Sequence, residues 1–98
     1  MKTNILIVDD VLTSLALMSD IVKSEGYIAR PVQNVKQAME AIDALLPDLI
    51  LSDVSMPDID GYEFCEMVKS NPKTADIPLI FVSALNDVNS RKKGYNVG

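Results

Sequence analysis

Four short aliphatic runs, each ended by polar residues and followed by a stretch of helical spacing, constrain this chain more than any other feature. Ile5-Leu6-Ile7-Val8 stops at Asp9-Asp10. Tyr27–Val32 follows Gly26 and carries Pro31 near its end. Leu49-Ile50-Leu51 runs into Ser52-Asp53, and Ile77–Val82 stops at Ser83-Ala84. Continuous β-branched and aliphatic runs predict strands buried on both faces, as in parallel sheets. Pro31 places the second strand at an edge, because proline cannot donate to a sheet ladder.

Between these runs the apolar spacing changes from two to three and four. Leu15, Met18, Ile21 and Val22 predict a first helix, with Gly26 as the residue that ends it. Asn34 with Gln37 three residues on is a capping-box pattern. Val35, Ala38, Met39, Ile42 and Leu45 form the stripe of the helix it opens, and Pro47 closes it. A turn cluster, Met56-Pro57-Asp58-Ile59-Asp60-Gly61, precedes a third stripe of Gly61, Phe64, Cys65 and Val68, which ends at Asn71-Pro72. A last polar helix is expected from Asn86 or Asp87 to about Tyr95. Strand and helix thus alternate four times, which predicts an α/β fold: a doubly wound parallel sheet with right-handed crossovers. No repeat, low-complexity tract or linker divides the 98 residues, so residues 1–98 read as one domain.

Composition then removes whole classes of chemistry. There is no histidine, which excludes a Ser-His-Asp triad, a histidine metal site and a phosphohistidine donor. The single cysteine, Cys65, permits neither an internal disulfide nor a cysteine zinc cluster. Cys65 is expected to be a small core residue, and Met18, Met39 and Met67 core fillers. The net charge is −5, and all fourteen acids precede the basic run Arg91-Lys92-Lys93. A chain so charged is not expected to bind nucleic acid through its overall field. The longest aliphatic runs are four residues, far short of the roughly 20 that cross a bilayer, so a cytoplasmic location without membrane contact is expected.

Open α/β sheets bind ligands beyond the carboxyl ends of their strands. The first strand ends there in Asp9-Asp10, the third in Asp53 and the fourth in Ser83-Ala84. In the order 2-1-3-4, strands one and three are neighbours, and their carboxylates converge. Crowded carboxylates repel one another, and a divalent cation relieves the conflict. Mg2+ suits the site, since it takes oxygen ligands and keeps open positions for water and phosphate; Mn2+ is the alternative. An aspartate beside such a cation can attack phosphorus. Ser83 would offer a hydroxyl to a phosphoryl oxygen, and Ala84 would leave room for the incoming group. Asp58 and Asp60 read as turn formers.

These residues carry a resemblance over the whole 98 residues. Four blocks, in order and at the right spacing, resemble the receiver domain of two-component response regulators, a flavodoxin-like fold. They are Ile5–Asp10, Asp48–Asp53, Met56–Gly61 and Ile77–Ala84. The resemblance implies that Asp53 is the phosphoacceptor, Asp10 the principal Mg2+ ligand and Asp9 its partner, often through water. It implies that Ser55 gives a backbone carbonyl to the metal and that Ser83 is the switch hydroxyl. Pro57 and Gly61 would shape the loop and start the third helix. The phosphoryl donor would be a histidine kinase, a phosphotransfer protein or a small phosphodonor. The output would be a changed fourth-helix surface acting on a partner or on an output domain beyond Gly98.

The same resemblance expects a fifth strand ending in a lysine that pairs with the phosphoryl group, then a fifth helix. Neither has a counterpart here, so the chain reads as a receiver incomplete at its C-terminus. An exposed fourth strand is then expected to invite self-association. Two other functions compete. A haloacid-dehalogenase-type phosphohydrolase expects a second acid two residues after its nucleophile, where this chain has Ser55. A phosphate-independent interaction module has no need of the set Asp9, Asp10, Asp53 and Ser83. No turnover of an external substrate is expected beyond the domain's own phosphorylation and dephosphorylation.

Overall fold

The computed structural model describes residues 3–54 and 59–82. Within them, four strands and three helices follow in strict alternation: β1 (Asn4–Val8), α1 (Leu12–Ser24), β2 (Ile28–Val32), α2 (Val35–Ala44), β3 (Leu49–Ser52), α3 (Gly61–Ser70) and β4 (Leu79–Phe81). The strands are parallel in the order β2-β1-β3-β4. The expected doubly wound sheet is therefore present. The expected fourth helix lies outside the described residues.

Alternation along each strand sends its side chains to two different layers. Leu6, Val8, Ile50 and Leu79 face one way and pack against Val35, Ala38 and Ile42 of α2 and Phe64, Cys65 and Val68 of α3. Ile5 and Ile7 face the other way, against Leu15 and Val22 of α1. Leu49 and Leu51 complete that second layer but are only partly buried, and Ile80 on β4 is 52% exposed. Among the described residues only α1 covers this side, so the α1 face of β3 and β4 is thinly clothed. β4 pairs with β3 alone among the described residues.

The helix ends follow their local chemistry. Gly26 has φ 87°, in the left-handed region that glycine enters without penalty. Its N–H bonds the carbonyl of Lys23 and the Tyr27 N–H bonds that of Val22, the paired closure of a Schellman motif. Asn34 caps α2, its side chain accepting from the Gln37 N–H at 2.8 Å. The Gln37 Oε1 accepts from the Gln33 N–H at 2.8 Å, one residue earlier than a capping box would have it.

Two expectations are corrected. Leu45 does not continue the α2 stripe: it is the extended residue that ends the helix and is 59% exposed. Met67 is 38% exposed, because it lies off the Phe64–Cys65–Val68 face of α3. Met18 and Met39 do pack against the two cores.

Arg30 does structural work that spacing alone did not suggest. Its guanidinium donates to the carbonyls of Leu45 (2.8 Å) and Ala41 (2.5 Å), satisfying the end of α2, and to Asn4 Oδ1 (2.9 Å) on β1. One side chain thereby ties β2, β1 and α2 together at the amino end of the sheet. By contrast, the buried Ser19 hydroxyl, on the α1 face between Leu15 and Val22, has no hydrogen-bond partner. An unmet buried hydroxyl costs about 1–3 kcal/mol, and serine is also a weaker helix former than alanine. Ser19→Ala is therefore expected to raise Tm, by about 4–8 °C for each kcal/mol regained. Circular dichroism melting checks this, and a lowered Tm would contradict it.

Candidate functional site

The two strands at the sheet's centre deliver the carboxylates. Val8 lies opposite Ser52 in the parallel register, so the next residue of each strand, Asp9 and Asp53, also lie side by side. The ladder runs on past both strand ends. The Asp53 N–H donates to the Val8 carbonyl at 2.8 Å, and the Asp9 N–H to the Val32 carbonyl at 3.2 Å. Both acids are thus set on sheet backbone rather than on a loop. Asp9 is 2% and Asp53 4% exposed, while Asp10 is exposed. One oxygen from each of the three lies within 4.8 Å of the others.

Local bonds aim these groups. Asp9 Oδ1 accepts from the Val11 N–H at 2.9 Å, a short turn that leads straight into α1. Val11 itself gives α1 no side-chain cap, so Asp9, two residues earlier, meets its N–H. The buried Ser52 hydroxyl donates to the Asp53 carbonyl at 2.9 Å. The Gly61 N–H then donates to the Val54 carbonyl at 2.8 Å, which docks the start of α3 on the end of β3. Asp60 caps α3 by accepting from the Glu63 N–H at 2.9 Å, in keeping with its reading as a turn former.

Burial pushes the Asp9 carboxyl above its ordinary 3.8. The Val11 N–H opposes that shift, the neighbouring Asp10 charge adds to it, and a side-chain hydrogen bond with Asp53 opposes it. Two nearly buried acids joined in this way suit a shared proton or a cation between them. Three hard oxygen donors, one of them exposed, fit Mg2+, which binds through a few carboxylates and keeps further positions for water and phosphate. Asp9, Asp10 and Asp53 are the residues that would hold it.

A raised carboxyl pKa carries a stability sign. The folded state binds the proton more tightly than the unfolded chain does, so ionising Asp9 costs stability. The cost is absent below pH 3.8 and grows as pH rises through the raised value. In the metal-free chain, Asp9→Asn is therefore expected to raise Tm at pH 7, by an amount that fades toward pH 4. Added Mg2+ is expected to stabilise the wild type, by about 2.7 kcal/mol at a hundredfold excess over Kd, and Asp9→Asn much less. Melting curves across pH, with and without Mg2+, check both.

Sequence reasoning placed Asp9, Asp10 and Asp53 together, and the structure brings them together. Ser55, Ser83 and Ala84 lie outside the described residues, as do Pro57 and Asp58. Sequence reasoning did not find the support roles of Ser52 and Val54, or how closely Gly61 approaches the site. A Cβ built on Gly61 would stand 2.2 Å from the Asp53 carbonyl oxygen and 2.9 Å from Val54 Cα. The glycine in the motif was visible, but only the packed backbone shows what it avoids.

A parallel sheet with three acids at the carboxyl ends of its central strands defines a class, and comparison with known proteins places the chain within it. The family model of the response regulator receiver domain matches residues 5–98, and the chain belongs to that family. The chain is 33% identical over 98 residues to the response regulator PleD of Caulobacter vibrioides, covering all of this chain and 22% of PleD. It is 33% identical over 95 residues to the DNA-binding dual master transcriptional regulator RpaA of Synechocystis, covering 96% of this chain and 39% of RpaA. A crystal structure assigned as a response regulator of Chloroflexus aurantiacus superposes with a TM-score of 0.91 at 31% identity, covering the whole chain and 80% of that protein. The chain thus spans well under half the length of these two curated relatives.

Proposed function

We propose that this chain is the phosphoacceptor of a two-component relay and that Asp53 takes up the phosphoryl group. One observation carries the reading: carboxylate oxygens of Asp9, Asp10 and Asp53 lie within 4.8 Å of one another at the ends of neighbouring strands. An Asp53 carboxylate oxygen forms the new bond to phosphorus. The bond from phosphorus to its donor breaks, and the donor leaves with the electron pair. The donor is a phosphohistidine on a histidine kinase or phosphotransfer protein, or a small acyl phosphate. A bound Mg2+ supplies charge neutralisation for the transferring group.

The residues of the chain act by position. Backbone bonds from Val8 and the Ser52 hydroxyl fix the Asp53 main chain, so its carboxylate is presented in one place. Asp9, oriented by the Val11 N–H, and Asp10, at the pocket's open side, complete the oxygen donors with the Ser55 carbonyl. The Ser83 hydroxyl donates to the phosphoryl group once it is in place, and Ala84 leaves it room. The output is a changed surface after Ser83, read by a partner protein or by an output domain such as those the longer relatives have room to hold. The domain turns over no external substrate. Among the described residues no helix is long and apolar enough to cross a membrane.

The test is uptake of phosphate from acetyl phosphate with and without Mg2+, read by intact mass. A Mg2+-dependent adduct that is lost in Asp53→Asn supports the reading. Absence of any adduct in the wild type overturns it.

A further inference from the structure

The first two residues of α3 touch both strands that flank the site. Gly61 is docked on the end of β3 through the Val54 carbonyl, with Asp53 in direct backbone contact. Tyr62, the next residue, meets Phe81, the last residue of β4, with ring centroids 5.0 Å apart and planes tilted by 57°. Phe81 pairs with Ser52 in the sheet register, and the Val82 N–H donates to the Ser52 carbonyl at 2.8 Å. Beyond that bond no further β3–β4 hydrogen bond is found among the described residues. Both rings are only partly buried, and Phe81 also packs against the α2–α3 core.

We propose that Tyr62 and Phe81 are a positioning pair for phosphoryl transfer to Asp53. The tilted ring contact holds the end of β4 at a set offset from the end of β3, with the first turn of α3 as the bracket between them. This rests on the reading of Asp53 as phosphoacceptor and adds to it the groups that brace the last described residues of the two strands. Tilted aromatic pairs have a preferred geometry that an aliphatic side chain of similar size does not reproduce. A displacement of about 1 Å at a reacting centre costs on the order of a hundredfold in rate, so even a loose bracket registers in the kinetics.

The experiment measures the rate of Mg2+-dependent phosphate uptake from acetyl phosphate at saturating Mg2+, by intact mass. It is run for Tyr62→Leu, Phe81→Leu, the double variant and Tyr62→Phe. Melting curves report folding and the Mg2+ concentration that half-saturates the thermal upshift. Each leucine variant is expected to slow uptake by about three- to tenfold with its Mg2+ midpoint unchanged. The double variant is expected to be no slower than the worse single one, because the pair acts as a unit. Tyr62→Phe, which keeps the ring, is expected to stay closer to the wild-type rate than Tyr62→Leu. A contact that merely adds stability would lower Tm and leave the saturated rate alone. Leucine variants that fold and react at the wild-type rate, or single losses that multiply in the double, overturn the pair. A wild type that takes no phosphate overturns the phosphoacceptor reading itself, and the pair with it.

Discussion

Asp53→Asn is expected to take up no phosphoryl group under conditions in which the wild type approaches one per chain. The amide matches the carboxylate in size but has no anionic oxygen to attack phosphorus. In the wild type an Asp53 oxygen bonds phosphorus, the bond to the acetate oxygen breaks, and acetate leaves with the electron pair. The other two acids are engaged differently: one Asp9 oxygen is bonded to the Val11 N–H, and Asp10 stands at the open side. The change should leave the fold intact, because the Val8 carbonyl and the Ser52 hydroxyl hold the backbone of residue 53. The expected result is a folded protein with no adduct. An adduct of unchanged extent in Asp53→Asn would move the nucleophile elsewhere.

Gly61→Ala is expected to be strongly destabilising. The new Cβ would lie 2.2 Å from the Asp53 carbonyl oxygen, 2.9 Å from Val54 Cα and 3.1 Å from the Asp53 carbonyl carbon. All three are backbone atoms in a sheet-anchored segment, so no side chain can turn aside. Either the start of α3 lifts away, losing the Gly61-to-Val54 bond, or the end of β3 shifts and takes Asp53 with it. The cost is expected to be about 2–4 kcal/mol, at the upper end for overpacking. Urea unfolding measures it, and phosphate uptake by the folded fraction should fall as well. A Gly61→Ala chain with unchanged stability would mean that the close approach is not maintained in solution. Gly26→Ala is the useful contrast: nothing lies within 4 Å of the added carbon, and the cost comes from the positive φ alone.

Much of this was legible before any coordinates. The aliphatic runs at Ile5–Val8 and Leu49–Leu51 became the two central strands because they are apolar on both faces, and only a doubly covered position rewards that pattern. Pro31 placed β2 at the edge, where a missing donor costs nothing. Asp9, Asp10 and Asp53 were legible as a set because strand ends are easy to locate and parallel order brings them together. Other features depended on three-dimensional packing that no periodicity encodes. The end of α2 came one residue early, since Leu45 takes an extended conformation and leaves the Arg30 guanidinium to satisfy the carbonyls of Ala41 and Leu45. Met67 had the composition of a core residue but not the phase. The clearance at Gly61 is a distance between backbones distant in sequence, and a glycine in a turn motif says only that something there is close.

The polar bonds of the scaffold are not spread evenly. Arg30 joins β1, β2 and the end of α2 at the amino ends of the strands, and Lys69 joins α3 to the approach of β4 by donating to the Ile77 carbonyl at 2.7 Å. The opposite end holds three acids within reach of one another and a carboxyl whose ionisation opposes folding. Among the described residues one end of the sheet is thus held by complementary side-chain bonds, while the other contains an electrostatic conflict within a bonded backbone. Neutralising charge there does more than fill a site: it relieves a cost to the fold, and every surface packed against those strand ends shares the gain.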